Sequence, residues 1–299
     1  TELVLRRPPF GRRAKSAHDM SREYRILKAL KSVFPHVPEP LVYCDDPAVM
    51  DTPFYVMERL RGVILRKEPP DATAFDAAAA SRLCRRWVDL LGDLHSLDYQ
   101  GCGLTDLGNP DGYVARQIHG WSKRYRDART DDVPDFETVM AWLCAGMPPD
   151  YSTPALVHND YKFDNVILDP ADLTRIIGVL DWEMATIGDP LMDLGASLGY
   201  WVEPDDSDEL KLIRTLPTLC PGMLTRRQIV ARYEKKTGAT IENFAWYYCF
   251  GLFRLAVIAQ QIYYRFSHRQ TTDKRFGMLG VAVGILEKAA VRVIETGEY

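Results

Sequence analysis

The 299-residue chain has only 6 cysteines, and they are scattered. Cys44, Cys84, Cys102, Cys144, Cys220 and Cys249 form no C-x-x-C pair, and none stands at metal-ligand spacing with a histidine. That argues against a zinc site or a redox dithiol, and points to reduced thiols in a cytoplasmic protein. A basic excess is also missing. The 37 Lys and Arg against 41 Asp and Glu give a formal net charge of -4. Nucleic-acid binding therefore has no bulk electrostatic support. No signal peptide is visible. The longest apolar run, Phe244 to Phe253, is too short to span a bilayer and reads as a buried helix, so no membrane partner is expected.

What is present is ordinary for a globular protein, with 46% hydrophobic and 26% charged residues. The length suits one large domain or two lobes. The chemistry is concentrated between Leu156 and Tyr200. Val157-His158-Asn159-Asp160-Tyr161-Lys162-Phe163-Asp164-Asn165 is followed by Gly178-Val179-Leu180-Asp181-Trp182-Glu183. Ala155 to His158 reads as a short buried strand. Val166 to Leu168 and Ile176 to Leu180 read as a hairpin closed by an Asp-Pro-Ala-Asp turn. The hairpin would bring Asn165, just before its first strand, beside Asp181, just after its second. Two side-chain oxygens there suit a hard cation such as Mg²⁺ on nucleotide phosphates. Asp160, upstream on the loop, can accept a proton from a substrate hydroxyl. Lys162 can offset charge on a transferring phosphate. His158 reads as an anchor for the loop, and Asp189 and Asp193 as braces that accept backbone hydrogen bonds.

Upstream, Thr1 to Arg6 reads as a strand around Leu3-Val4-Leu5, closed by Arg6-Arg7-Pro8-Pro9. Phe10 to Ala17 is a basic loop. A helix from about Asp19 carries Glu23, and Leu41 to Tyr43 and Phe54 to Met57 are further strands. Strand, helix and two strands is the order of a kinase small lobe, in which a strand cation pairs with a helix Glu and reaches the α/β-phosphates. Arg6 and Glu23 are the candidates. Thr1 falls inside the first predicted strand, so preceding residues, including any glycine-rich loop over the phosphates, are expected outside this sequence. Residues 57–62 read as a hinge. Met57 would line an adenine pocket, with the Glu58 carbonyl and the Leu60 N–H as hydrogen-bonding groups.

The rest is predicted helical: Thr73 to Leu97, Tyr113 to Arg126, Phe136 to Ala145, Thr225 to Thr237, Ile241 to Phe266 and Phe276 to Glu295. His95 reads as a packing residue. Arg254, in apolar surroundings, would need a carboxylate partner or an anionic ligand. Arg116, Lys123, Arg124 and Arg126 read as a solvated face or as an anion-binding wall. Arg265, His268 and Arg269 add positive charge near the end of the long helix.

The H-x-D-x-x-x-x-N motif with its following D-W-E resembles the aminoglycoside phosphotransferase and choline kinase family. So do Gly188-Asp189-Pro190-Leu191-Met192-Asp193-Leu194 and the hinge. Val4 to Pro9, Ser16 to Asp19, Arg22-Glu23-Tyr24, Thr52 to Glu58 and Leu180 to Glu183 resemble the phosphotransferase domain of some acyl-CoA dehydrogenase fusion proteins. The resemblance implies a protein-kinase-like fold, ATP and Mg²⁺, and in those relatives a hydroxyacyl-CoA acceptor. Three departures stand out: Asn159 where the family commonly has Gly, Arg6 in place of the usual Lys, and Lys162, which resembles protein kinases more than the antibiotic kinases.

The reading is therefore an α+β, two-lobed protein-kinase-like fold, with a nucleotide-binding lobe over residues 1–60 and a helical lobe over 61–299. It would move the γ-phosphate of ATP to a hydroxyl of a small molecule. An antibiotic kinase needs an acidic pocket for a polycation. The Arg, His and Tyr residues here point instead to an anionic or partly apolar acceptor, such as a hydroxyacyl thioester. The alternatives are an aminoglycoside- or choline-type kinase and a nucleotide-binding pseudokinase. A protein kinase fits less well, because Trp182-Glu183 replaces Phe-Gly and no A-P-E ending follows. Homodimer formation stays open.

Overall fold

A computed structural model describes residues 2–8, 19–69 and 75–299. The predicted loop from Phe10 to Ala17, the motif residues Ser16 to His18, and the predicted helix start at Thr73 lie outside the described residues. Strand β1 (Leu3–Arg6), helix α1 (Met20–Leu30), and strands β2 (Pro40–Cys44) and β3 (Phe54–Glu58) come first. The strands form an antiparallel sheet in the order β1-β3-β2, with Arg6 opposite Tyr55. Asp19 caps α1 by accepting the N–H groups of Ser21 and Arg22. The buried stripe of α1 is Met20, Glu23, Ile26, Leu27 and Leu30. Glu23 thus occupies a position where helical periodicity calls for an apolar residue.

The chain leaves β3 and crosses to a second group of strands. Val63 N–H donates to the Leu168 carbonyl at 2.9 Å, and Leu168 N–H to the Val63 carbonyl at 2.8 Å. Gly62 lies so close that a Cβ there would run into the Leu168 carbonyl oxygen. Helices α2 (Ala77–His95), α3 (Tyr113–Ala128) and α4 (Glu137–Ala145) follow, then strands β4 (Ala155–Val157), β5 (Val166–Asp169), β6 (Asp172–Val179) and β7 (Thr186–Gly188). Helices α5 (Pro190–Leu198), α6 (Asp208–Leu212), α7 (Arg226–Thr237), α8 (Phe244–Ser267) and α9 (Leu279–Thr296) complete the described residues.

The structure corrects several sequence expectations. Strand β6 begins at Asp172, not Ile176, which leaves only residues 170–171 as the turn. Ala171 N–H donates to the Asp169 carboxylate there. Strand β7 was not predicted; it is three residues long and exists because it pairs with β4. Helix α5 was not predicted either. All of its residues are buried, and a helix buried all round has no amphipathic period to read. Pro190 in its first turn and the Asp189 cap set its start. α5 crosses α8 at Gly195 and Gly251, where an added Cβ on Gly251 would meet the Gly195 carbonyl. That crossing fixes Arg254, one turn further along α8, relative to the loop before β5.

Candidate active site

The loop between β4 and β5 is held by alternation. Tyr161 and Phe163 are each 1% exposed, whereas Asp160 and Lys162 between them reach the surface of the cleft. The two buried rings pack on Trp87 at 4.8 and 5.6 Å, and the Tyr161 hydroxyl donates to the Trp87 carbonyl. Outward, Lys162 Nζ lies 2.6 Å from both Asp160 oxygens. Asn165 Nδ2 donates to the Asp160 carbonyl and to its Oδ2, each at 2.8 Å. The ammonium also sits over the Tyr200 ring at 4.8 Å. Burial pulls its pKa down, but Tyr200 and Asp160 outweigh burial and raise it above the ordinary value. It is a cation across the working range. A carboxylate held in this way can take up a proton from a nearby hydroxyl while the adjacent cation faces an anion.

Two buried groups fix the loop from behind. Asp193 of α5 accepts the N–H groups of His158 and Asn159, both at 2.8 Å, and faces His95 Nε2 at 3.1 Å. Burial pushes Asp193 up, and the His95 bond and charge, His158 and the backbone donor hold it down; the net is below the usual carboxylate value. His95 also meets the Tyr233 hydroxyl at 2.7 Å. His158 is fully buried. Its Nε2 reaches the Leu180 carbonyl at 2.9 Å, and its Nδ1 accepts the Asp160 N–H. Burial lowers its pKa, so it is neutral, donating to one side of the site and accepting on the other. Asp189 caps its own helix, and burial raises its pKa to about 6.

The β5–β6 hairpin sets Val166 opposite Val179, and Leu180 N–H donates to the Asn165 carbonyl at 2.8 Å. Asn165 and Asp181 therefore meet at one end of the hairpin. Asp181 has a left-handed backbone, φ 69°. Arg6 reaches it from β1: Nη2 to Asp181 Oδ1 is 2.6 Å, Nε to Glu23 Oε2 is 2.9 Å, and Nη2 to Glu183 Oε2 is 3.6 Å. The backbone N–H of Trp182 points at Glu23 Oε1 at 3.3 Å. Burial raises Glu23 to about 7 against the pull of Arg6. Burial depresses Arg6, but Glu23 and Asp181 more than offset it.

In the hinge, Met57 is buried on β3 opposite Val4 and Pro40. The Glu58 carboxylate accepts the Glu39 N–H at 2.8 Å and Lys31 Nζ at 3.0 Å. Leu60 reaches Gly178 of β6, where an added Cβ would strike its side chain. Its N–H has no acceptor among the described residues.

On the other side of Asp160 stand α3 and α8. Asn159 adopts φ 65°, a conformation that Asn and Gly tolerate. It receives the Tyr113 hydroxyl at 3.3 Å and donates to the Met184 carbonyl at 3.1 Å. Arg254 Nη2 donates to the Asn159 carbonyl. Among the described residues no carboxylate pairs with Arg254. Residues 1–223 match the phosphotransferase enzyme family. The chain belongs to that family. It is 35% identical over 271 residues to acyl-CoA dehydrogenase family member 10 of Mus musculus, covering 88% of this chain and 24% of the relative. It is 34% identical over 269 residues to acyl-CoA dehydrogenase family member 11 of Gallus gallus, covering 88% and 34%. The chain thus spans about a third or less of those relatives' lengths. A solved structure of a putative aminoglycoside phosphotransferase from Ralstonia eutropha superposes with a TM-score of 0.82 at 25% identity, covering 98% of this chain and 93% of that one. The chain has the two-lobed, kinase-like fold of this phosphotransferase family.

The structure brings Asp160, Lys162 and Asn165 together, and separately Arg6, Glu23 and Asp181; the hairpin joins the two sets. Sequence reading missed the places of Asn159, Trp121 and Tyr200. Asn at a position where Gly is common was the one legible sign, since both residues accept positive φ. The positive charge at the end of the long helix is another correction. Arg265, His268 and Arg269 are exposed. Arg265 lies eleven residues beyond Arg254, roughly 16 Å along the helix axis. The α8 cation beside the loop is Arg254.

Proposed function

We propose that this chain transfers the γ-phosphoryl group of ATP to a hydroxyl of an anionic or partly apolar small molecule, with a hydroxyacyl thioester as the leading acceptor. One observation carries the reading: Asp160, fixed by Lys162 and Asn165, lies beside one strand at the open end of a hairpin whose other strand, at that same end, presents Asp181 to Arg6 and Glu23. In the transfer the P–O bond to the β-phosphate breaks, a P–O bond to the acceptor hydroxyl forms, and ADP leaves. Asp160 takes the hydroxyl proton and aims the oxygen. Lys162 offsets charge on the moving phosphoryl group. Arg6, oriented by Glu23, faces the α/β-phosphates. Met57, Glu58 and Leu60 receive the adenine, and the unpartnered Leu60 N–H suits its edge.

Asn165 spends its amide nitrogen on Asp160, so its oxygen is left for a ligand. With the Asp181 carboxylate it makes an all-oxygen donor pair, which suits Mg²⁺ that keeps waters and phosphate oxygens as its other ligands. Mg²⁺ bound there neutralises phosphate charge. The acceptor class is supported by the cationic α3–α8 side of the cleft and by the names of the two acyl-CoA dehydrogenase relatives. The contact of Arg6 with Asp181 favours a second reading, a nucleotide-binding module without turnover. One assay separates them: Mg²⁺-dependent ADP release with hydroxyacyl-CoA, free hydroxy acid, aminoglycoside and choline panels. Turnover with the hydroxylated anions, lost in Asp160→Ala and Asp181→Ala, is expected. Turnover of only a cationic acceptor would sink the acceptor assignment, and none at all would sink the enzyme.

A further inference from the structure

The two buried arginines in the helical part of the molecule are treated differently. Arg226, 6% exposed, is bidentate with Asp206 at 2.8 and 2.7 Å and lies over the Tyr248 ring. That is the usual condition for a buried guanidinium. Arg254 is 3% exposed and has no such partner. Its Nη2 touches the Asn159 carbonyl and the Met184 sulfur, and its guanidinium lies 5.0 Å from the centre of the Trp121 ring. Among the described residues its Nε and Nη1 find no acceptor. A second guanidinium, Arg124, lies 4.6 Å from the centre of the same ring. The neighbouring cations on α3 are all spoken for: Lys123 by Asp127, Arg126 by Glu137, and Arg116 by the Asp111 and Asn109 carbonyls. Arg124, though exposed to solvent, alone among these has neither a carboxylate nor a carbonyl among the described residues.

Two like charges gathered on one indole, one of them desolvated, repel each other. Burial and Arg254 together depress Arg124. Cation–π contact offsets part of the cost of desolvation but does not supply the missing negative charge. The pair also stands at the site of reaction, because Arg254 is bonded to the residue immediately before Asp160. We propose that Arg124, Trp121 and Arg254 form the receptor for an anionic group of the acceptor, which sets the distance between that anion and the hydroxyl that is phosphorylated. This rests on the phosphotransfer reading and assigns its acceptor specificity to named residues. The anion is a carboxylate of a free hydroxy acid or a phosphate of its coenzyme A thioester.

The test presents one hydroxy acid in four forms: free acid, coenzyme A thioester, neutral N-acetylcysteamine thioester and methyl ester. Wild type is expected to favour an anionic form. In Arg124→Gln, the KM for that form should rise roughly tenfold or more, the size of one charge-assisted hydrogen bond, while kcat changes by less than about twofold. The KM for neutral forms should barely move, so the charged-to-neutral ratio of kcat/KM collapses. Arg254→Lys, which keeps the charge but loses the fork, should shift the ratio the same way. The ratio is internal to each variant, so a general loss of folded enzyme cancels. Lys123→Gln removes one charge from the next position of α3 and should leave the ratio intact. Preference for the free acid over its methyl ester assigns the carboxylate; preference for the coenzyme A over the N-acetylcysteamine thioester assigns the phosphates. An unchanged ratio in Arg124→Gln and Arg254→Lys overturns the receptor and leaves the kinase standing. So does a wild type that prefers neutral acceptors. Failure of wild type to phosphorylate anything overturns both.

Discussion

The two sides of the cleft are built on opposite electrostatic plans. On the nucleotide side the two cations at the centre of the site have carboxylates: Arg6 with Glu23 and Asp181, Lys162 with Asp160. On the α3–α8 side Arg124 and Arg254 share a tryptophan and have none among the described residues. The first arrangement is self-consistent in the free protein and must open to admit phosphates. The second is incomplete in the free protein, and an anion completes it. The two sides lie on elements far apart in the chain: β1, α1 and the β5–β6 hairpin on one, α3 and α8 on the other.

The largest effect is expected from striking the paired side at its centre. Asp160→Asn keeps the shape of the side chain but removes the proton acceptor and strands the Lys162 ammonium. Acceptor-dependent ADP release should fall about 10²–10⁴-fold, the range for loss of a general base, with ATP affinity changed far less. Equilibrium nucleotide binding beside steady-state rates checks this. A rate within a few-fold of wild type would show that Asp160 does not handle the proton.

Asp193→Asn comes next, because it attacks the support and not the chemistry. The native carboxylate accepts two backbone N–H groups and faces His95 while fully buried. An amide turns one acceptor into a donor aimed at donors. Urea unfolding should show a loss of about 3 kcal/mol, as for a broken buried polar pair. A loss below about 1 kcal/mol would mean that α5 does not fix the loop, and the nucleotide side would then be less rigid than the comparison requires.

How much of this could be read from sequence follows the same division. The Asp160, Asn165 and Asp181 spacing is local, since a short hairpin turns linear order into proximity, and a strand–helix–strand–strand order places Arg6 by Glu23. Asp19 and Thr225 stand where helices were expected to begin and cap them, Thr225 through a full capping box with Gln228. Helix α5 and strand β7 were illegible because total burial and short length erase period. The junction of Asn159, Trp121 and Arg254 joins three segments separated by dozens of residues. Periodicity put Trp121 in the core and Arg254 in apolar surroundings, but only tertiary packing shows that they meet without a carboxylate.

Glu23 offers the finest test, because on the paired side it is the partner whose charge is costly. Its ordinary value of 4.5 is raised to about 7, with burial outweighing Arg6. A raised folded-state value means that folding favours the protonated form. Stability from this group is therefore complete below pH 4.5 and is lost as pH climbs through about 7. Glu23→Gln cannot ionise, so it escapes that loss, though it gives up the attraction of Arg6 at every pH where Glu23 is charged. The stability of the variant relative to wild type should accordingly become more favourable between pH 5 and pH 8, by an amount bounded at about 3 kcal/mol, and its relative melting temperature should rise with it. Thermal melts across that range decide it. A flat difference would mean that Glu23 is ionised throughout. In that case Arg6 at least offsets burial, and the paired side is held by attraction alone.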